Sequence, residues 1–233
     1  GKIDNSIDVL IMTNDNFKDE LSNFCKSIDI SYKIHVLDKI TIYESKLSRY
    51  EIFRIKNDIN LKEYSQLLYL DIDVIVQHDI KQIFKYNLDE KIYAKDQGNI
   101  SGEMYGRNLF EEWRKTNNDK HIDEKTRSFC SGVLLFKRCK KVEELFEKTL
   151  THLSEFKKSG KKHGTCIDQP FLIFNAVISD MYEIELLKDK ITNNPDINSK
   201  KEIICHFAGD TCVFDIKNKR MSTMFNQRIK ELI

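Results

Sequence analysis

The segment from Leu67 to Val76 restricts the fold more than any other part of the sequence, because two carboxylates interrupt an apolar run, Leu-Leu-Tyr-Leu-Asp-Ile-Asp-Val-Ile-Val. A run of this kind predicts a buried strand. Side chains alternate along a strand, so Asp71 and Asp73 are expected on the same face. Two like charges about 4 Å apart repel by roughly 4 kcal/mol at an effective dielectric of about 20. We therefore expect a divalent cation, a proton or a basic side chain beside this pair, and carboxylate oxygens suit Mg²⁺ or Mn²⁺.

The elements around this segment alternate between strand and helix patterns. In chain order the patterns predict a strand at Ile7–Met12, a helix at Phe17–Ile28, a strand at Tyr32–Leu37, a helix at Glu44–Ile55 and a strand at Gln66–Val76. This alternation predicts an α/β fold with a mostly parallel central sheet flanked by helices. Farther along we expect a strand at Phe129–Phe136 interrupted at Ser131-Gly132, helices at Val142–Phe156 and Asp168–Val177, a strand at Ile203–Phe207 and a terminal helix at Met221–Ile233.

No repeat or linker divides the chain, so we expect one domain over residues 1–233. The first residue is Gly1 rather than Met, and a segment of a longer chain is kept as an alternative.

The charge balance and the cysteine pattern narrow the functional class. The chain carries 38 Lys and Arg against 37 Asp and Glu, and this balance argues against a dedicated nucleic-acid binder, which needs a basic excess. No stretch approaches the roughly 18–20 apolar residues of a membrane span. The six cysteines form no C-x-x-C pair, which favours free thiols in a reducing compartment. We expect a cytoplasmic or otherwise soluble protein, with a lumenal location as the alternative if an anchor or signal was removed. A homodimer stays open.

Two metal chemistries use an Asp-x-Asp pair. In one, a cation held by the pair binds the diphosphate of a nucleotide-sugar. In the other, a haloacid-dehalogenase-type phosphatase, Asp71 is the nucleophile and Mg²⁺ the cofactor. Gly209-Asp210 followed by Asp215 loosely matches a late metal motif of such phosphatases. Against this alternative, Ile75 stands where these phosphatases have Thr or Val, and the pair follows at least two predicted strands rather than opening the fold.

An ordered set of segments resembles glycosyltransferase family 8, the glycogenin and bacterial lipopolysaccharide galactosyltransferase family. The segments are the strand end Ile11–Phe17, Ser45-Lys46-Leu47, the block from Tyr64 through Asp71-Ile72-Asp73 to Phe84, Phe129-Cys130-Ser131-Gly132-Val133, Asp168-Gln169 and His206-Phe207-Ala208-Gly209. Asp-x-Asp alone is common, whereas the ordered set spans nearly the whole chain. The resemblance implies a GT-A-type nucleotide-sugar-binding domain and a retaining hexosyltransferase that transfers a hexose, glucose or galactose, from a UDP-sugar to a carbohydrate or protein acceptor.

The resemblance also implies roles for individual residues. The metal ligands it implies, for Mn²⁺ with Mg²⁺ as the alternative, are Asp71, Asp73 and His206. The donor contacts it implies are Thr13, Asn14, Phe17, Lys46, Asp71, Ile72, Asp73, Ser131 and Gly209, with the first three at the nucleoside. Asp168 and Gln169 are implied near the transferred sugar, where Asp168 would orient hydroxyls or stabilise a positive centre. An N-terminal helix cap is the alternative role for Asp168.

Two departures from the family pattern bear on activity. The family continues His-x-x-Gly with x-x-Lys-Pro-Trp, but here Cys212, Val213 and Phe214 occupy those last three positions. The family lysine neutralises the departing diphosphate, and Lys217, Lys219 and Arg220 are the candidates to replace it. Cys130 stands where the family commonly has Asn. An inactive UDP-binding module is therefore a further alternative.

Overall fold

The structure is a computed structural model that describes residues 7–28, 31–37, 46–55, 63–117, 122–160, 167–209 and 214–232. The chain divides into an N-terminal unit, Gly1–Glu63, and a C-terminal unit, Tyr64–Ile233. Among the described residues, no helix combines the length and the apolar character needed to cross a membrane.

The N-terminal unit contains the predicted strand–helix–strand unit. Strand β1 (Val9–Thr13) pairs in parallel with β2 (Tyr32–Val36), and helix α1 (Asp15–Ser27) connects them. Parallel neighbours need such a crossover, because a tight turn can join only antiparallel strands. The predicted helix at Glu44–Ile55 is described from residue 46 and continues as a 3₁₀ helix over Ser48–Arg54.

The described residues of the C-terminal unit form two sheets. In chain order its strands are β3 (Gln66–Leu70), β4 (Val74–Val76), β5 (Ile92–Asn99), β6 (Arg127–Lys137), β7 (Tyr182–Glu183), β8 (Ile191–Asn193) and β9 (Ile204–His206). The four-stranded sheet has the order β3-β6-β5-β7, and the three-stranded sheet has the order β4-β9-β8. A chain that leaves β3 therefore enters the other sheet at β4, and the residues between the strands lie where the two sheets meet.

The expected mostly parallel sheet is wrong for this unit, in which the sheets are mixed. Strand β6 runs antiparallel to both β3 and β5, and β4 runs antiparallel to β9. The β5–β7 and β8–β9 pairs are parallel. A strand buried on both faces shows an unbroken apolar pattern whichever way its neighbours run, so the sequence pattern could not give the direction.

Helices of this unit pack against both sheets. The helices of this unit are α2 (Arg107–Arg114), α3 (Lys140–Lys158), α4 (Gln169–Ile178) and α5 (Phe214–Leu232). Helix α3 buries its apolar stripe, and its Phe146 ring lies 5.3 Å from Phe136 of β6. Helix α4 contacts both α3 and β6, and its residues Pro170–Val177 are buried. A helix that is apolar on all sides is one that a core surrounds.

Two strand predictions differ from the structure at the positions that matter for the site. The strand predicted over Gln66–Val76 is broken, because Asp71-Ile72-Asp73 belongs to neither β3 nor β4. Strand β6 runs from Arg127 to Lys137, but the interruption predicted at Ser131-Gly132 is confirmed in part, because the β5–β6 register shifts there from Ala94–Leu134 to Lys95–Cys130. Polar residues mark a complete break in the first strand, whereas in β6 the serine and the glycine lie at an irregularity of the ladder with β5.

The ring of His152, on α3, makes edge contacts with Phe171 and Phe174 at centroid distances of 4.8 and 5.4 Å. Burial lowers the pKa of His152, and Glu155 offsets this only in part. The unfolded chain therefore binds the proton more readily than the folded one, so the free energy of unfolding should fall as the pH drops through about 6.5 toward the lower folded pKa. Urea unfolding between pH 7 and pH 5 should show a shallower decline for His152→Phe than for the wild type. Equal slopes for the two proteins would contradict the prediction.

Candidate functional site

The break between β3 and β4 brings two carboxylates to the junction of the sheets. The Asp71 N–H donates to the Gly132 carbonyl of β6 at 2.8 Å, and the Phe207 N–H, just after β9, donates to the Asp73 carbonyl at 2.9 Å. Each aspartate is thus held by a different sheet. Ile72 between them is fully exposed. The prediction that the two carboxylates share a face because they lie in a strand is wrong in its geometry, but their ligand atoms still converge.

His206, the last residue of β9, completes the cluster. It is 3% exposed, and its Nε2 lies 3.3 Å from Asp73 Oδ1 and 3.9 Å from Asp71 Oδ2. One ligand atom from each of the three residues lies within 4.8 Å of the others, and in the described part of the chain no other group of three such side chains has this geometry. The other oxygen of Asp71 accepts a 2.6 Å hydrogen bond from the Tyr69 hydroxyl, which orients the carboxylate.

The charges of Asp73 and His206 shift each other's pKa strongly. Burial alone would raise the pKa of Asp73, but the ionic contact with His206 and the hydrogen bond from Lys217 outweigh it and lower that pKa to about 2. Burial alone would lower the pKa of His206, but Asp73 and Cys130 raise it to about 10. At neutral pH and without a cation, an imidazolium therefore compensates the two carboxylates.

Two observations show that the cluster fits a divalent cation. Asp73 Oδ1 is buried and accepts no well-directed hydrogen bond. The His206 ring and the Asp71 carboxylate also approach Gly132 more closely than any other residue there would allow: an added Cβ would lie 2.2 Å from His206 Cε1, 2.5 Å from its Nε2 and 2.8 Å from Asp71 Oδ2. Two carboxylates and one imidazole form a donor set suited to Mn²⁺ and related divalent ions. The predicted ligands Asp71, Asp73 and His206 are therefore brought together.

Lys217 supplies a second positive charge at this centre. It lies in the first turn of α5, and its ammonium donates a hydrogen bond to Asp73 Oδ2. The other two candidates are placed differently: Lys219 is exposed, and Arg220 donates to the Pro195 carbonyl at 2.7 Å and stacks over Phe207. Gly209, which follows β9, has φ +108°, a conformation that favours glycine.

Gln169 joins the start of α4 to β6. Its Oε1 accepts hydrogen bonds from the Ser131 N–H at 3.1 Å and the Ser131 hydroxyl at 3.2 Å, and its Nε2 donates to the Met104 carbonyl at 3.3 Å. Ser131 precedes Gly132, which adjoins His206 and Asp71. Gln169 is therefore linked to the Asp71–Asp73–His206 cluster through Ser131. Asp168 is buried at the N-terminus of α4, but its side chain does not cap the helix. Asp168 therefore occupies the N-cap position of the alternative, but without the side-chain hydrogen bond of a cap.

The remaining predicted donor contacts lie in the N-terminal unit. Thr13 ends β1, Asn14 stands at the N-cap position of α1, and Phe17 in its first turn is 53% exposed. Asn14 does not cap the helix with its side chain, and its Oδ1 is buried without a hydrogen bond. Lys46 lies in the helical segment that precedes Ser48–Arg54. The predicted roles of these four residues stay predictions.

Some predicted residues lie outside the described part of the chain, and two contacts of the site were not predicted from the sequence. Ser45 of the lysine motif and Asp210 of the phosphatase motif lie outside the described residues, as do Cys166 and Cys212. The other four cysteines are free thiols, as expected. Tyr69 was missed, although its position two residues before Asp71 was a signal. Asn193, which contacts His206, was missed because β8 is too short to show a pattern.

The chain is similar in structure to solved glycosyltransferases. The chain is similar to mouse xyloside xylosyltransferase 1 in its apo form, with 13% identity, a TM-score of 0.52 and coverage of 91% of this chain and 87% of that one. It is also similar to a glycosyltransferase involved in the glycosylation of the major capsid of the virus PBCV-1, with 10% identity, a TM-score of 0.48 and coverage of 93% and 98%. The similarity to the xylosyltransferase structure and the mixed sheets show a mixed α/β fold similar to that of GT-A glycosyltransferases. No curated protein matches the sequence.

The family comparison covers both units of the chain. The model described as "Glycosyl transferase family 8" matches residues 8–211, a span that includes Asp71, Asp73, the Ser131-Gly132 pair and His206. Together with the ordered motifs and the carboxylate–imidazole cluster, this match shows that the chain belongs to glycosyl transferase family 8.

Proposed function

We propose that this glycosyltransferase depends on Mn²⁺ and transfers a hexose, glucose or galactose, from a UDP-sugar to an acceptor with retention of configuration. The observation that carries the proposal is the convergence of ligand atoms from Asp71, Asp73 and His206, which the absence of a side chain at Gly132 permits. Acidic oxygens and one imidazole are what a site needs to hold a cation against a diphosphate. The family finding favours this chemistry over the phosphatase alternative.

Asp71, Asp73 and His206 would hold the cation, with Mg²⁺ as the alternative to Mn²⁺. When bound, the cation supplies positive charge to the diphosphate that leaves as the glycosidic bond breaks. Tyr69 keeps one Asp71 oxygen engaged, so the other oxygen faces His206. The protein thereby positions its ligands before the donor arrives, which avoids reorganisation during the reaction.

Lys217 is the residue that we propose in place of the family lysine. Its ammonium already contacts Asp73, whereas Arg220 is engaged with Pro195 and Phe207. A cation bound by the carboxylates would weaken the attraction between Lys217 and Asp73. The ammonium could then bind a phosphate oxygen and stabilise the leaving group as its charge develops.

The donor contacts stay proposals that rest on the family resemblance. We assign Thr13, Asn14, Phe17 and Lys46 to the nucleoside and phosphates, Ile72 and Gly209 to the donor beside the metal, and Ser131, Asp168 and Gln169 to the sugar. Asn14 gives one physical argument, because its buried and unsatisfied Oδ1 would gain a partner from a nucleobase N–H or a ribose hydroxyl. The absence of Lys-Pro-Trp keeps an inactive UDP-binding module as the second candidate, and a homodimer stays a prediction.

Removing one carboxylate tests the metal-dependent donor site. Asp73→Ala should abolish the Mn²⁺ dependence of UDP binding and weaken that binding by more than roughly 100-fold, because it removes a ligand and not merely an outer-sphere partner. Titration calorimetry with UDP, with and without Mn²⁺, measures this. Asp189→Ala, which alters an exposed carboxylate, is the matched control. UDP binding that is unchanged in Asp73→Ala would exclude the proposed site.

A side chain at position 132 tests the close approach of His206 and Asp71 to Gly132. Gly132→Ala should lower Mn²⁺ affinity by at least roughly tenfold, because the added Cβ displaces the imidazole and the Asp71 carboxylate from their positions. Electron paramagnetic resonance of free Mn²⁺ measures the affinity. Gly98→Ala is the control: Gly98 has φ +98° with nothing within 4 Å of an added Cβ, so that variant tests backbone strain without filling a site. Equal Mn²⁺ affinity in Gly132→Ala and the wild type would contradict the prediction that the site needs glycine at position 132.

Removing the ammonium of Lys217 tests its proposed role as the lysine that stabilises the leaving diphosphate. Lys217→Met should reduce turnover of a UDP-sugar, followed as UDP release with Mn²⁺, by about 10²-fold, the effect of removing one group that stabilises developing charge. The exposed Lys219 provides the control variant Lys219→Met, which should keep wild-type turnover. If both variants turn over at the wild-type rate, Lys217 is not the replacement. No turnover in the wild type, with UDP binding retained, would support the inactive module.

A further inference from the structure

The edge of the His206 ring that faces away from the carboxylates has its own partners. Nδ1 lies 3.1 Å from Asn193 Oδ1 and 3.4 Å from Cys130 Sγ. The opposite nitrogen, Nε2, faces Asp71 and Asp73. The two nitrogens of one imidazole are thus divided between an amide and thiol environment on one side and a carboxylate environment on the other.

The strand ladder places Asn193 at this edge. Strands β8 and β9 are parallel, and Asn193 is the register partner of His206. The Asn194 N–H, one residue later, donates to the His206 carbonyl at 2.7 Å. Cys130 comes from β6 of the other sheet and is buried. The contact between Asn193 and the ring is therefore set by backbone pairing rather than by a mobile surface side chain.

The chemistry of the amide determines which ring nitrogen carries the proton. An amide oxygen only accepts hydrogen bonds, so Nδ1 must be the donor. In the neutral ring, a proton on Nδ1 leaves the Nε2 lone pair free, and that lone pair points at the carboxylates. A histidine ligand held by an oxygen on its far nitrogen has both its tautomer and its orientation fixed, and such partners commonly contribute 10- to 100-fold to metal affinity. The thiol of Cys130 is a second, weaker acceptor at the same nitrogen.

We propose that Asn193 is a positioning residue of the metal centre: its Oδ1 holds the Nδ1 proton of His206, and Cys130 packs the same edge of the ring. The inference rests on the proposed metal centre and deepens it. Asn193 touches neither cation nor substrate and acts only through His206. Nothing in its local sequence, Ile-Thr-Asn-Asn-Pro, marks it for this role, which comes from the pairing of β8 with β9.

The test compares Mn²⁺ affinity, measured by electron paramagnetic resonance, in three variants. Asn193→Leu keeps the approximate shape but removes the acceptor, and its affinity should fall by roughly 10- to 100-fold. Asn193→Asp restores an acceptor and should bind Mn²⁺ within about threefold of the wild type or more tightly, because a carboxylate is the commoner partner of a ligand histidine. Thr192→Val is the control, since the neighbouring side chain of a strand points to the opposite face. An unchanged affinity in Asn193→Leu, or an equal loss in all three variants, would overturn the proposal.

A readout without metal separates this inference from the proposed function. The Nδ1 proton of His206 should give a slowly exchanging downfield proton resonance in the metal-free wild type, and Asn193→Leu should lose it. If the wild type binds no Mn²⁺, the proposed metal centre is refuted. The role of Asn193 is then refuted with it, whether or not the resonance is present. If the wild type binds Mn²⁺ and the resonance is the same in Asn193→Leu, the metal centre stands and the role of Asn193 is refuted.

Discussion

The repulsion between Asp71 and Asp73 is the constraint on which the rest of the site depends. Two carboxylates held this close inside a protein destabilise the fold unless positive charge lies beside them. The chain supplies that charge twice, from the His206 imidazolium and from the Lys217 ammonium, and it orients one carboxylate with the Tyr69 hydroxyl. The same arrangement suits a divalent cation, because a cation needs oxygens that are already gathered and only partly satisfied.

The mixed topology is what gathers these groups. A single continuous strand over residues 66–76 would have kept both aspartates in one ladder. Instead the chain leaves the four-stranded sheet at Asp71 and enters the three-stranded sheet after Asp73, so each carboxylate is tied to a different sheet. His206 enters from the end of β9, beside β4, and Gly132 provides the room in β6. A side chain at position 132 would separate the histidine from Asp71, so the smallest residue lies at the point of closest approach.

Metal-free and donor-bound states place different demands on the same residues. In the metal-free state Lys217 and protonated His206 stabilise Asp73. In the proposed donor complex the imidazole acts as a neutral ligand, oriented by Asn193, and the ammonium is released toward the diphosphate. The residues that keep the fold stable without metal are thus the residues that we propose for function with it. This dual use gives a physical reason for so many charged groups in a buried place.

The sequence alone determined the family, the candidate site residues and most of the local structure of this protein. The apolar run with two aspartates, the strand–helix–strand start and the order of short motifs indicated the family, the candidate metal ligands and most of the helices, because these signals are local or are carried by residue type. The His206 ligand was reached in this way, although it lies more than 130 residues from Asp71. Tertiary structure decided the rest: the directions of the β6 and β4 pairings, the break at Asp71–Asp73, the contact of Lys217 with Asp73 and the position of Asn193. Each of these depends on which distant strand or helix supplies the partner, and a local pattern of apolar and polar residues holds no information about a partner far away in the chain.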